Sequence, residues 1–106
     1  MKINDVYTAY ISWPGGGKRR PVLILDVNQH QALVFKITTK YYSKSVVIQH
    51  KYYQIQDLKS AGLKKESYID TISKLWLQKR NVEFHYIGKL STKDIFGLAD
   101  FIKLNQ

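Results

Sequence analysis

Residues Trp13–Asp26 read WPGGGKRRPVLILD, and the fold turns on how that run divides. Pro21-Val22-Leu23-Ile24-Leu25 has the continuous apolar character of a strand covered on both faces. Ahead of it, three glycines remove side-chain bulk and permit backbone angles that other residues avoid. Pro14–Lys18 is therefore expected to be a loop, with Lys18, Arg19 and Arg20 standing on its flexible rim. Such a junction suits phosphate. It equally suits an ordinary solvated hairpin, and the rest of the chain has to decide.

Outward from this run, Val6–Trp13 (VYTAYISW) is β-branched and aromatic with no helix-period stripe, which predicts a first strand. Arg20–Val27 forms the second, with Pro21 near its start, where a missing N–H is tolerated. Polar Asn28–Gln31 turns the chain into a third strand, Ala32–Thr38, completing an antiparallel meander. Tyr41–Lys44 reads as an exposed loop, Ser45–Ile48 as a short strand, Asp57–Gly62 as a single helical turn stopped by glycine, and Ser67–Leu77 as another strand. At the C-terminal end the period changes. Ser91-Thr92-Lys93-Asp94 resembles a capping box with Asp in place of Glu, and Ile95, Leu98, Ala99 and Ile102 follow at helical spacing as one apolar stripe. The pattern predicts one domain, residues 1–106, mainly β with a closing helix: a small, twisted, partly closed antiparallel barrel packed by that helix.

The chain has 106 residues, 44% hydrophobic and 13% aromatic, so one small core must carry its stability. No stretch approaches the roughly 18 consecutive apolar residues of a membrane span. The N-terminal MKINDVYTAY has neither a signal-peptide apolar region nor transit-peptide character, so a cytoplasmic location is expected. With no cysteine, disulfides, thiolate catalysis and Cys-ligated zinc are excluded. Seventeen Lys+Arg against eight Asp+Glu give a formal charge of +9, and Asn28–Gln56 holds no carboxylate while carrying Lys36, Lys40, Lys44 and Lys51. A polyanion is the natural partner for that imbalance, although lysines that merely keep a small protein soluble would produce the same count.

Several chemistries fall away. His30, His50 and His85 lie far apart with no second ligand at short helical spacing, so no metal and no cofactor are expected. The glycines before Lys18 fail as a P-loop, because their spacing is wrong, Arg19 stands where Ser or Thr should hold magnesium, and a strand follows. Glu66 and Asp70 straddle a strand start beside Lys64 and Lys65, which gives little support to a glycosidase-like pair; Asp26 and Asp70 could meet in space, but an Asp among so many cations is more often a structural ion pair. Phosphate chemistry on RNA needs none of these parts. RNA carries its own nucleophile, the 2′-OH, which a protein need only orient, deprotonate and oppose with cations. Arg20, at the base of the loop, could fork onto two phosphate oxygens, or be a surface cation flanking a proline. Thr38 could bring a hydroxyl to the same spot if strands two and three pair, hydrogen bonding to phosphate rather than abstracting a proton, or be an ordinary β-branched strand residue. Tyr41, Tyr42, Tyr52 and Tyr53, interleaved with Lys40, Lys44 and Lys51, could stack unpaired bases or serve the core and a dimer contact.

Taken in order, these segments resemble the MazF/PemK toxins of type II toxin–antitoxin modules. The resemblance runs through "NDVYTAYI" against that family's Gly-Asp-hydrophobic first strand, "RRPVLIL" against its Arg-Pro-Val/Ala-Leu-Val-Ile strand, and "VFKITTK" against its Ile-Thr-Ser/Ala strand end. "AGLKKESYIDT" and "IGKLSTKDI" are similar to its Gly-Leu turn, strand and final helix. It covers nearly the whole chain, but the family's Ser-Glu-Gln stretch in the first loop is replaced by the shorter Pro14–Gly17. The resemblance implies an SH3-like barrel and a metal-independent, ribosome-independent endoribonuclease that leaves 2′,3′-cyclic phosphate and 5′-OH ends on single-stranded RNA. It also implies a homodimer and a cognate antitoxin covering the RNA groove. Catalytic roles fall on Arg20 and Thr38, and substrate contacts on Lys18, Arg19, Thr39, Lys40, Tyr41 and Lys44, with Lys74 nearest the family's basic residue before the last helical segment. A non-catalytic nucleic-acid-binding barrel and a protein-interaction barrel are the alternatives.

Overall fold

A computed structural model describes residues 1–105. The hairpin around the quoted run is tighter than its glycines suggest. Strand β1 (Asp5–Trp13) pairs with β2 (Gly16–Val27) from Val6↔Leu23 out to Trp13↔Gly16. Only Pro14 and Gly15 are left to turn the chain, and Gly15 takes φ +87° directly after a proline, the requirement of a type II turn. The expected loop Pro14–Lys18 is thus corrected to two residues. Lys18, Arg19 and Arg20 sit in the ladder opposite Ile11, Tyr10 and Ala9 rather than on a flexible rim. Strand alternation then sends Lys18 and Arg20 to one face and Arg19 to the other.

Strand β3 (Gln31–Thr38) completes the expected meander, entered through a turn in which Asn28 Oδ1 accepts the N–H groups of His30 and Gln31 at 2.9 and 2.8 Å. β2 is covered on both faces, as its unbroken apolar run predicts. Leu23 joins Val6, Phe35, Ile37, Ile69 and Leu98 in one buried cluster, while Val22 and Ile24 join Ala9, Ala32 and Val34 in another.

Two expectations fail locally, and two strands appear where none was expected. Ser45–Ile48 is not a strand. A short helix, α1 (Val46–Gln49), begins there because Ser45 Oγ accepts the Ile48 N–H at 3.4 Å, and the exposed Val46 and Val47 have no packing through which to express their strand preference. Ser67–Leu77 is two strands, β5 (Tyr68–Asp70) and β6 (Leu75–Gln78), since Asp70 Oδ1 takes the Ile72 N–H at 2.9 Å and turns the backbone out of the ladder. Both run along one edge of β3, and β4 (Tyr52–Gln54) adds outside β5. A final strand, β7 (Phe84–Lys89), pairs with the free edge of β1 and had no counterpart in the sequence expectation.

The order is β4-β5-β3-β2-β1-β7, with β6 also on β3, every pair antiparallel. The end strands β4 and β7 do not pair, so the sheet is open. The protein is mainly β, with one C-terminal helix, α2 (Thr92–Leu104), laid against it. Among the described residues no helix is long and apolar enough to cross a membrane.

The Ser91 cap is present, its Oγ accepting the Asp94 N–H at 3.1 Å. The Asp94 carboxylate does more than close a capping box. It is fully buried and accepts from Tyr53 Oη (2.8 Å), Gln56 N (2.8 Å), Asp57 N (2.9 Å) and Ser91 Oγ (3.2 Å), tying α2 to the segment after β4. Leu98 is buried and Ile95 and Ile102 pack behind it, but Ala99 faces outward, and Phe101 instead packs edge-on to Tyr53 at 5.7 Å. The expected turn Asp57–Gly62 closes through Leu63 N to Leu58 O at 2.9 Å, with Gly62 at φ +74°. A side chain there would overlap the Ile87 carbonyl of β7.

Burial raises the Asp94 pKa, but the hydrogen bonds from Asp57, Gln56, Tyr53 and Ser91 outweigh it, and the net shift is downward. Asp94 therefore contributes stability that is present above the unfolded Asp value of about 3.9 and lost as pH falls through its lower folded value. Asp94→Asn is expected to cost about 3 kcal/mol near neutrality, from weakened charged hydrogen bonds and a buried amide with the wrong polarity. It should also flatten the acid limb of stability; urea midpoints across pH check both. Gly62→Ala, strained in φ and in collision with backbone, is expected to cost roughly 3 kcal/mol or more by the same measurement.

Candidate nucleic-acid interface

The ladder between β2 and β3 ends at Val22↔Lys36. The next residue on β2 is Pro21, which has no N–H to extend it. Beyond this point the edge of β3 that faced β2 is free, while its other edge takes up β5 through Ile37↔Ile69 and Thr38↔Tyr68. A hollow of about 440 Å³ lies in the fork, walled by Lys18–Pro21 on one side and Lys36–Lys40 on the other, with Tyr52, Ser67 and Asp70 from β4 and the β5 region. Six cations line it, Lys18, Arg19, Arg20, Lys36, Lys40 and Lys44, against one carboxylate, Asp70.

Arg20 and Thr38 line this hollow together. Continuing the β2–β3 register two residues past its last pair would set them level with each other. Arg20 is partly buried, and its Nε is sealed from solvent without any hydrogen-bond partner. Buried donors are ordinarily satisfied, so this Nε is an exception, and the guanidinium that carries it pairs with no carboxylate among the described residues. The Thr38 hydroxyl accepts the Lys40 N–H at 3.1 Å, which orients its oxygen and leaves its own hydrogen free to donate. Tyr52 is buried opposite Asp70. Burial, then the Asp70 charge, pushes its pKa up, with Arg20 opposing, so it remains a neutral donor.

The remaining expected residues divide. Lys18, Thr39, Lys40 and Lys44 line the hollow. Arg19 touches its rim, but its guanidinium Nη1 reaches across the other face to Thr8 Oγ1 (3.4 Å) and the Glu83 carbonyl (3.3 Å), a consequence of alternation along β2. Glu83 there is held below its usual pKa, chiefly by its hydrogen bond to His85. Tyr41 does not line the hollow; its ring is stacked on buried Tyr68 at 4.3 Å and 10°. Lys74 is elsewhere, beside a separate apolar groove of about 280 Å³ with Leu25, Phe35 and Ile102, because the chain breaks out of the ladder after Asp70. Asp70 is not the ion pair its surroundings suggested. Among the described residues the only contacting charge pair is Glu83–His85. Ser67 entered the site unannounced, since no local motif marks it, and Tyr52, expected as a stacking or core residue, lines the hollow from a buried position. No group of three or more His, Asp or Glu side chains that could hold a metal converges among the described residues.

Comparison with protein-family models and with curated proteins finds no match to this chain. Fold and site together define a class: an open antiparallel sheet whose strand fork forms a cationic hollow suited to phosphate.

An anion that satisfies Arg20 and relieves the crowding of six cations should stabilise the folded state by mass action. Tripolyphosphate at low salt is expected to raise the melting temperature by several degrees, and Arg20→Met to abolish most of that rise.

Proposed function

We propose that this chain is a metal-independent, ribosome-independent endoribonuclease toxin, similar to the MazF/PemK family, acting on single-stranded RNA from an SH3-like barrel. The observation that carries it is the Arg20 guanidinium, paired with no carboxylate among the described residues, in the same hollow as Thr38 and the single carboxylate of Asp70. Arg20 stabilises the charge that grows on phosphorus, where a preorganised donor acts most strongly. Thr38 donates to a non-bridging oxygen. Asp70 is the hollow's one carboxylate able to take the 2′-OH proton as O2′ attacks phosphorus. The P–O5′ bond then breaks, leaving a 2′,3′-cyclic phosphate, and the departing O5′ takes a proton from solvent to become a 5′-OH.

Lys18, Thr39, Lys40 and Lys44 hold the flanking phosphates, with a smaller share for Arg19 from the rim. Lys74 has no part in this site. The homodimer, the cytoplasmic location and an antitoxin that covers the groove belong to the same proposal. A binding-only barrel is the second reading, favoured by the preponderance of lysines, which suit sequence-independent phosphate contact.

In EDTA, purified protein is expected to cut a mixed transcript pool, leaving new 5′-OH and cyclic phosphate ends. Arg20→Ala should lower the rate by about 10²-fold or more, with Thr38→Ala and Asp70→Asn also impaired. Salt-dependent RNA binding without new ends, with or without magnesium, would leave only the binding barrel.

A further inference from the structure

Four tyrosines were candidates for base stacking, and their surroundings separate them. Tyr52 is buried and Tyr53 is spent on Asp94 and Phe101. Tyr41 is stacked against Tyr68. Tyr42 is 80% exposed, yet its ring is held: it meets Tyr41 edge-on at 5.2 Å and 88°. The backbone beneath is pinned as well, the Tyr41 carbonyl accepting both Lys44 N (3.0 Å) and Gln49 Nε2 (2.9 Å), so that Tyr42 occupies the corner of a fixed turn. Lys40 and Lys44, on either side of it in the chain, both line the cationic hollow.

We propose that Tyr42 is a stacking platform for the unpaired base of a nucleotide adjacent to the phosphate held in the hollow. The assignment rests on the proposed RNA-binding role of that hollow. A large aromatic face in water gains from stacking on any base, since every base offers a π-face, and cations placed beside it hold the strand by its backbone. Duplex bases are already stacked on each other, so the platform selects single strands. An acidic peptide would also meet the charge of the hollow, but it lacks a flat partner for the ring. The turn supplies preorganisation: Tyr42 loses little freedom on binding because Tyr41, Tyr68 and Gln49 have already ordered its surroundings.

The test uses a short single-stranded 2′-O-methyl RNA, which cannot be cut, and the same RNA carrying one abasic position moved along it. Tyr42→Ala is expected to weaken binding of the intact RNA roughly tenfold while leaving tripolyphosphate binding and the melting temperature unchanged. Tyr42→Trp should retain affinity, with its added fluorescence quenched by intact RNA. One abasic register should bind wild type and Tyr42→Ala equally. Equal RNA affinity of wild type and Tyr42→Ala, or a Tyr42→Trp signal unmoved by RNA that still binds through Arg20, overturns the platform and leaves the function standing. Failure of wild type to bind RNA at low salt overturns both.

Discussion

The termination of one strand ladder governs this molecule. Between Val22↔Lys36 and the tip of the β1–β2 hairpin, β2 keeps its partner on one side and loses it on the other. The backbone groups released there must meet water or a ligand, because hydrocarbon cannot satisfy them. Cations from both strands converge on the opening, and Pro21 marks its apex. Had β3 stayed paired with β2 to its end, Arg20 and Thr38 would belong to an ordinary two-strand surface with no concavity between them.

Holding that fork open requires a rigid surround. β2 supplies it by contributing to two apolar clusters at once, Leu23 on one face and Val22 with Ile24 on the other, so it cannot tilt without disturbing both. α2 is secured at its first turn by Asp94, which draws donors from β4, the following turn and its own cap. Gly62 lets that turn lie directly on β7. Polar burial of this kind is tolerated because every lone pair that matters has a donor. Among the described residues the one sealed side-chain donor left over is on Arg20, which lines the hollow itself.

Aromatic packing continues the same logic toward the surface. Tyr68 is buried with its hydroxyl on Glu66 at 2.6 Å, Tyr41 lies flat on it, and Tyr42 leans on Tyr41. Order is handed outward ring by ring, so that an exposed side chain acquires a definite position beside the cations.

How much of this was legible beforehand follows from the range of the interactions involved. Strands β1, β2 and β3, the Asn28 turn, the Gly62 stop and the Ser91 cap each depend on a handful of neighbouring residues, and composition marks them. The cationic bias and the meeting of Arg20 and Thr38 in one hollow could likewise be reasoned from order along the chain. Partnerships between distant segments could not. β7 has little alternation to announce it and exists because β1 offers an edge; α1 wins over a β-branched run because a serine caps it and nothing packs against the valines. Arg19 and Arg20 are neighbours of the same chemical type, yet register sends one guanidinium to Thr8 and the other into the hollow. Lys74, Asp70 and Tyr52 were sorted the same way, by where the chain leaves a ladder. Local propensity acts through bonds and short-range sterics, so sequence alone determined the meander, the closing helix and their charge; the remaining elements, and facing, depth and convergence, depend on contacts between remote segments, and only the tertiary structure decided those.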